Sequence, residues 1–153
     1  MTTTHHGPDA HASVVVARDS AGLIAILSAD FPDHGGEHVF LPGGRQEPGE
    51  SPVDCARREL LEEAGITAGE WDALGTYAIT LNSPARVSLF LAQGLTLGPQ
   101  QLTDTEEGFK LMWWPMEDAI KAAEGGRFLL QGGPLALFLA ARHLGPRRGF
   151  VIP

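Results

Sequence analysis

The sequence predicts an α/β domain in which a central mixed sheet is flanked by helices. Three observations predict it. Apolar and β-branched runs of strand length recur along the chain, and a helix with clear start and stop signals interrupts them. Strands and helices then follow one another without the regular alternation that an all-parallel sheet needs. The 153 residues fit one domain, long enough to bury a core, and a composition of 43% hydrophobic and 20% charged residues is ordinary for a globular chain. Residues 12–144 form that domain. Residues 1–11 read as a flexible leader and residues 145–153 as a C-terminal tail.

The runs 12–17 and 23–27 read as strands, joined by Arg18-Asp19-Ser20-Ala21-Gly22 as a hairpin turn. A polar, glycine-rich loop over 30–37 leads to the short run His38-Val39-Phe40-Leu41, after which Pro42-Gly43-Gly44 breaks any regular element. A helix begins at Ser51, a capping residue, with Pro52 in its first turn and Asp54 where a capping-box partner would stand. It ends at Ala64, where Gly65 supplies a left-handed stop. Val53, Ala56, Leu60 and Ala64 recur at helical spacing, so one face is buried. Strands are expected at 73–81, 87–93 and 109–114, and helices at 116–124 and 134–144.

Composition excludes several classes. No apolar run approaches the ~18 residues of a membrane span. The start lacks both the basic flank and the apolar core of a secretory signal. A net charge of −8 disfavours a nucleic-acid polymer as partner, because a phosphate backbone asks for a basic face. Small phosphorylated ligands stay open, since divalent cations can sit between a phosphate and an acidic site. The single cysteine, Cys55, forms no internal disulfide and fits a reducing, cytoplasmic setting, with a packing role in its helix. The six histidines lack metal-ligand spacing and read as surface or satisfied positions, although His34, in the loop before the helix, could reach a ligand.

The chemistry concentrates in residues 44–66. Glu59, Glu62 and Glu63 stand at i, i+3 and i+4 and project from one helix face. Like charges at that spacing repel, which a hard divalent cation such as Mg²⁺ or Mn²⁺ would offset through carboxylate and carbonyl oxygens. The glycines let the backbone approach a ligand and present a carbonyl. Arg58 can form a bidentate pair with a carboxylate such as Glu50 or Glu62 and orient it. A bound metal can acidify water, and a nearby glutamate can take the proton.

The segment matches G-x5-E-x7-R-E-U-x-E-E-x-G-U at every position, U being a bulky apolar residue: Gly44, Glu50, Arg58, Glu59, Leu60, Glu62, Glu63, Gly65 and Ile66. At about 7% for each of seven strict identities, chance would give this roughly once in 10⁸ starts. The sequence therefore resembles the Nudix hydrolase family over about residues 12–144. The resemblance implies an α/β/α sandwich with the box as a loop–helix–loop. It implies substrates in which a nucleoside diphosphate is linked to another moiety, attacked by water at phosphorus. By position, Glu59, Glu62 and Glu63 would be metal ligands with the Gly44 carbonyl, and Arg58 and Glu50 supporting residues. Many members add a glutamate from a later loop, as ligand or base. Glu106 and Glu107 are the choices here, and Glu107 is preferred. Catalytic roles thus fall to Glu62, Glu63 and Glu107.

The segments Leu74-Gly75-Thr76-Tyr77, Ser83-Pro84, Leu89-Phe90-Leu91-Ala92 and Trp113 to Ala119, with the turn Glu124 to Phe128, resemble the ADP-ribose pyrophosphatase branch. The resemblance implies ADP-ribose or a nucleoside diphosphate sugar as substrate and leaves a homodimer open. Two departures keep a nucleoside triphosphate or its oxidised form as the alternative. The leader is shorter than that branch's N-terminal segment, and Ala85-Arg86-Val87-Ser88 follows Ser83-Pro84 where the branch often has a glutamate. Arg45 and Arg86 could meet phosphate, and Tyr77 and Trp113 could stack on a base, although one of Trp113 and Trp114 should face the core. A second class is a non-catalytic nucleotide-sensing domain. Such domains typically lose box carboxylates, and all are present here. An isomerase of diphosphate lipid precursors would be a third class, disfavoured by the single cysteine.

Overall fold

The computed structural model describes residues 10–145. The leader before Ala10 and the tail after Gly145 lie outside the described residues. The elements are β1 (Ala12–Ala17), β2 (Leu23–Phe31), β3 (Gly36–Phe40), β4 (Gly43–Arg45), α1 (Pro52–Ala64), β5 (Ile66–Ala78), β6 (Arg86–Leu97), β7 (Lys110–Pro115), α2 (Met116–Glu124) and α3 (Gly132–Leu144), with 3-10 turns at Pro32–His34 and Asp104–Glu106.

The strands divide into two sheets. One has the order β4-β1-β6-β5 and the other β3-β2-β7. The pairing of β1 with β6 is parallel and the remaining pairings are antiparallel, so the β structure is mixed as expected. It is split in two where a single central sheet was predicted. The predicted β1–β2 hairpin explains the difference. Its turn forms, with Asp19 N–H donating to Leu23 O at 2.9 Å, and Arg18 makes an isolated antiparallel bridge to Ile24. Beyond that bridge the strands part into separate sheets. Val15, Val16 and Ala17 are all buried, Val16 in the core under α2 and α3 and Val15 and Ala17 in the core under α1, so β1 is covered on both faces.

Other boundaries shift for local reasons. Half of the loop expected at 30–37 is strand: β2 continues to Phe31 and β3 starts at Gly36, and the chain reverses through the 3-10 turn and Gly35 at φ 88°. Gly43 to Arg45 pairs with β1 instead of lying free, and a Cβ on Gly43 would collide with Ser13 O. β5 begins at Ile66, well before residue 73. Gly69, Glu70 and Asp72 disguise that half of the strand, which sits at a sheet edge with much of it exposed.

Helices cover both faces. α2 and α3 pack against Ile24, Ile26, Val39, Leu89 and Leu91, and α1 packs Ala56, Leu60 and Ala64 against Val15, Ala17, Ala25, Phe90 and Ala92. The result is the three-layer α/β/α arrangement. Burying a leucine such as Leu60 contributes about 1.5–3 kcal/mol, so the apolar face of α1 anchors the carboxylate face to the sheet. Ser51 caps the helix by accepting the Asp54 N–H at 3.1 Å. The Asp54 carboxylate lies 3.9 Å from Arg57. Gly65, at φ 70°, closes the other end by donating its N–H to the Leu60 and Leu61 carbonyls.

Candidate active site

The carboxylate-bearing turn of α1 and the loop before it line a cleft of about 780 Å³, together with Ala10, His11 and Glu106; the α1 and loop residues are Gly43 to Gly49, Arg58, Glu59 and Glu63. One carboxylate oxygen from each of Glu59, Glu62 and Glu106 lies within 4.8 Å of the others. Glu59 and Glu63 are 7% and 4% exposed, a costly burial for carboxylates. Burial pushes both pKa values up. The Arg58 guanidinium opposes this at Glu59, and the Gly43 N–H, donated to Glu63 Oε1 at 2.9 Å, opposes it at Glu63.

The loop is built around Glu50. Its carboxylate accepts Arg58 Nε at 2.7 Å on Oε2, and Arg58 Nη2 at 3.0 Å and the Glu47 N–H at 2.9 Å on Oε1. The guanidinium beside Glu50 holds its carboxyl below the usual range. Arg58 also donates to Arg45 O at 3.0 Å and to Glu59 Oε2 at 3.0 Å, and its Nη1 lies 3.5 Å from Glu62. One side chain therefore ties the loop backbone to two of the helix carboxylates. The bidentate partner is Glu50, one of the two predicted alternatives.

Gly44 packs against the Glu59 carboxylate: a Cβ there would lie 2.5 Å from Glu59 Oε2, so a larger residue would have to displace that carboxylate. Glu59 Oε1 is buried and has no hydrogen-bond partner among the described residues. A buried carboxylate oxygen without a donor is strongly disfavoured unless a cation, or a proton shared with the neighbouring Glu63 carboxyl, meets it. With two further carboxylates close by, the donor set is all hard oxygen, which would suit Mg²⁺ or Mn²⁺; the Gly44 carbonyl accepts the Cys55 thiol at 3.5 Å.

The structure brings Glu106, not Glu107, to the helix carboxylates; Glu107 is exposed at the end of the 3-10 turn. The sequence did carry a signal for this. Thr103 and Glu106 form a capping box, the T-x-x-E pattern, which fixes the Glu106 side chain by its contact with the Thr103 N–H at 3.0 Å. His11 is a cleft residue that the sequence reading does not single out. Its Nδ1 accepts the Arg86 N–H at 3.0 Å and its carbonyl accepts the Gln46 N–H at 2.8 Å. No motif marks it, because β1 and β6 become neighbours only in the folded sheet.

Of the residues predicted to touch substrate, Arg45 lines the cleft, whereas Tyr77, Arg86 and Trp113 are not among its lining residues. Tyr77 is exposed on edge strand β5, and Arg86 opens β6. Trp113 packs on the α1-side core and Trp114 on the opposite core, so both serve packing on alternate faces of β7. His34 sits at the β2–β3 turn, its carbonyl accepting from His38 at 2.9 Å. Cys55 is fully buried, and burial raises its thiol to about 11, which suits packing rather than reactivity.

The model of the NUDIX domain matches residues 7–131. The chain belongs to the Nudix family. Among its curated relatives, mouse diphosphoinositol polyphosphate phosphohydrolase 3-alpha is 29% identical over 102 residues, covering 67% of this chain and 60% of that protein. A Bacillus subtilis putative 8-oxo-dGTP diphosphatase is 32% identical over 102 residues, 67% of this chain and 63% of the relative. A Streptomyces rubellomurinus CMP-5'-(N-acetyl-N-hydroxy-3-aminopropyl)phosphonate hydrolase is 32% identical over 111 residues, 71% and 52% of the respective chains. The Nudix chain thus spans about 60% of the length of the first of these relatives. A solved structure described as an ADP compounds hydrolase superposes with a TM-score of 0.77 at 21% identity, over 92% of this chain and 74% of that one, and shares the fold. Among the described residues no helix is long and apolar enough to cross a membrane.

Proposed function

We propose that this Nudix protein is a divalent-metal-dependent hydrolase that cleaves the diphosphate linkage of a nucleoside diphosphate derivative by attack of water at phosphorus. The observation that carries the reading is the orphaned, buried Glu59 Oε1 beside the Glu62 and Glu106 carboxylates and against Gly44. Glu59, Glu62, Glu63, Glu106 and the Gly44 carbonyl would hold Mg²⁺ or Mn²⁺. A bound ion supplies Lewis-acid stabilisation of phosphate charge and lowers the pKa of water. Arg58 and Glu50 orient the carboxylates, and one of Glu62, Glu63 and Glu106 accepts the proton of the attacking water, a role worth ~10²–10⁴-fold. Arg45 stands in the cleft as a partner for substrate phosphate, and His11 as a contact to substrate oxygen.

The favoured substrate is ADP-ribose or a nucleoside diphosphate sugar. The Ser83-Pro84 and Trp113 to Ala119 segments support this, and so does the likeness to an ADP compounds hydrolase. The relative named as a putative 8-oxo-dGTP diphosphatase favours a second reading, hydrolysis of a nucleoside triphosphate or its oxidised form. Glu107 is left as a surface residue in this mechanism. A reducing, cytoplasmic setting fits its single buried cysteine.

The test is incubation with Mg²⁺ and a panel of ADP-ribose, sugar nucleotides, dinucleoside polyphosphates and nucleoside triphosphates, following monophosphate or phosphate release. Preferential release from ADP-ribose or a sugar nucleotide is expected. Preference for triphosphates would move the assignment to the second reading. Binding without turnover of any compound would make the protein a sensing domain.

A further inference from the structure

The segment that leads to Glu106 is fastened to the far end of the carboxylate helix by backbone bonds and by one uncharged side chain. The last carbonyls of an α-helix have no partner within the helix and must find one outside it. Here the segment after β6 supplies them. Gly98 N–H donates to Gly65 O at 2.8 Å, and Gln101 N–H donates to Glu62 O at 2.8 Å. Gln100 Nε2 donates to Glu63 O at 2.8 Å and also to Phe109 O at 3.3 Å. Gln100 therefore links the backbone of a candidate metal ligand to residue 109, at the opposite end of the loop from itself. Between those points, Phe109 N–H donates to Glu106 O at 2.9 Å, and the Thr103 capping box holds the Glu106 carboxylate.

We propose that Gln100 is the positioning residue for Glu106, holding the 100–109 loop at the register in which the Glu106 carboxylate joins those of Glu59 and Glu62. This rests on the metal-centre reading above. Both amide hydrogens of Gln100 are spent on backbone carbonyls, so a side chain of similar length without donors loses both ties and loosens the loop between residues 101 and 109, which the Gln101 N–H then holds to Glu62 O at one end only. Divalent ions such as Mg²⁺ demand near-ideal ligand geometry, so a loosened carboxylate weakens the centre without removing any ligand.

The test measures Mn²⁺ binding by calorimetry in the full chain, comparing wild type, Gln100→Met, Glu106→Gln and the double variant, with melting curves of the metal-free proteins as the fold control. Gln100→Met is expected to weaken Mn²⁺ binding roughly 10–100-fold, the range for residues that orient ligands. In the Glu106→Gln background the same change should cost less than about twofold, since residues acting through one another are not additive. Thr103→Ala, which opens the capping box, should show the same dependence on Glu106 and replaces Gln100→Met if that variant does not fold. Wild-type affinity in these variants, or a loss undiminished by Glu106→Gln, overturns the inference while leaving the metal centre standing. Absence of Mn²⁺ binding by the wild type overturns the metal centre itself, and this inference with it.

Discussion

At the scale of single residues, the site depends on carboxylates held where water would ordinarily not leave them. Glu63 is almost fully buried, and its Oε1 accepts the Gly43 N–H. Glu63→Gln preserves shape while removing the charge, so turnover should fall by orders of magnitude with an unchanged circular dichroism spectrum. Full activity in that variant would rule out its assigned role. Glu106→Gln should lower turnover strongly and Glu107→Gln hardly at all, because only Glu106 joins the helix carboxylates. His11 accepts a backbone N–H on Nδ1, so its neutral form carries the proton on Nε2 and can donate to a substrate oxygen. His11→Ala should accordingly raise KM several-fold more than it lowers kcat in steady-state assays. Glu50 titrates below the usual range because Arg58 stabilises its charged form. A folded pKa below the unfolded one gives stability that is present above the unfolded value and lost as pH falls through the folded value. Melting temperatures of wild type and Glu50→Gln should therefore converge as the solution is acidified below the ordinary carboxylate range.

At the scale of elements, α1 has two faces with separate duties. Ala56, Leu60 and Ala64 hold it to the sheet, while Glu59 and Glu63 line the cleft and a Glu62 carboxylate oxygen lies near that of Glu59. Its C-terminal stop is also a junction. A Cβ on Gly65 would collide with both Gly98 O and Pro99 O, and the residue sits at φ 70°. Gly65→Ala should thus destabilise the protein by more than the ~1 kcal/mol usual for a left-handed position, read as a lowered denaturation midpoint. It should also weaken metal binding, since the same junction aligns the Glu106 loop. The caps of α1 are legible in the sequence, because Ser51, Pro52 and Gly65 act through neighbouring backbone. The extent of β5 is not. Gly69, Glu70 and Asp72 look like loop residues, and only pairing with β6 makes them strand.

At the scale of the whole molecule, three layers bring the loop before α1, the loop before β7 and the start of β1 to one cleft. An ion bound there binds the folded chain and not the unfolded one, so Mg²⁺ should raise the melting temperature in a concentration-dependent way. At 100 times Kd the gain is about 2.7 kcal/mol. Glu59→Gln should abolish most of that response, and an unchanged melting temperature across millimolar Mg²⁺ would contradict the metal centre.

The family, the ends of α1 and the three-glutamate face are legible in the chain alone. Each is written in residues close along the chain, where a 3.6-residue period and local capping decide the geometry. Tertiary structure decided what depends on distant partners. It parted β1 and β2 into different sheets, β1 pairing with β4 and β6 and β2 with β3 and β7. It brought His11 to Arg86 across neighbouring strands, and it chose Glu106 over Glu107. That last choice had a local trace in Thr103, but its meaning came from the approach of the 98–109 segment to the end of α1. A motif names the ligands on one helix; only packing can say which residue completes them from another loop.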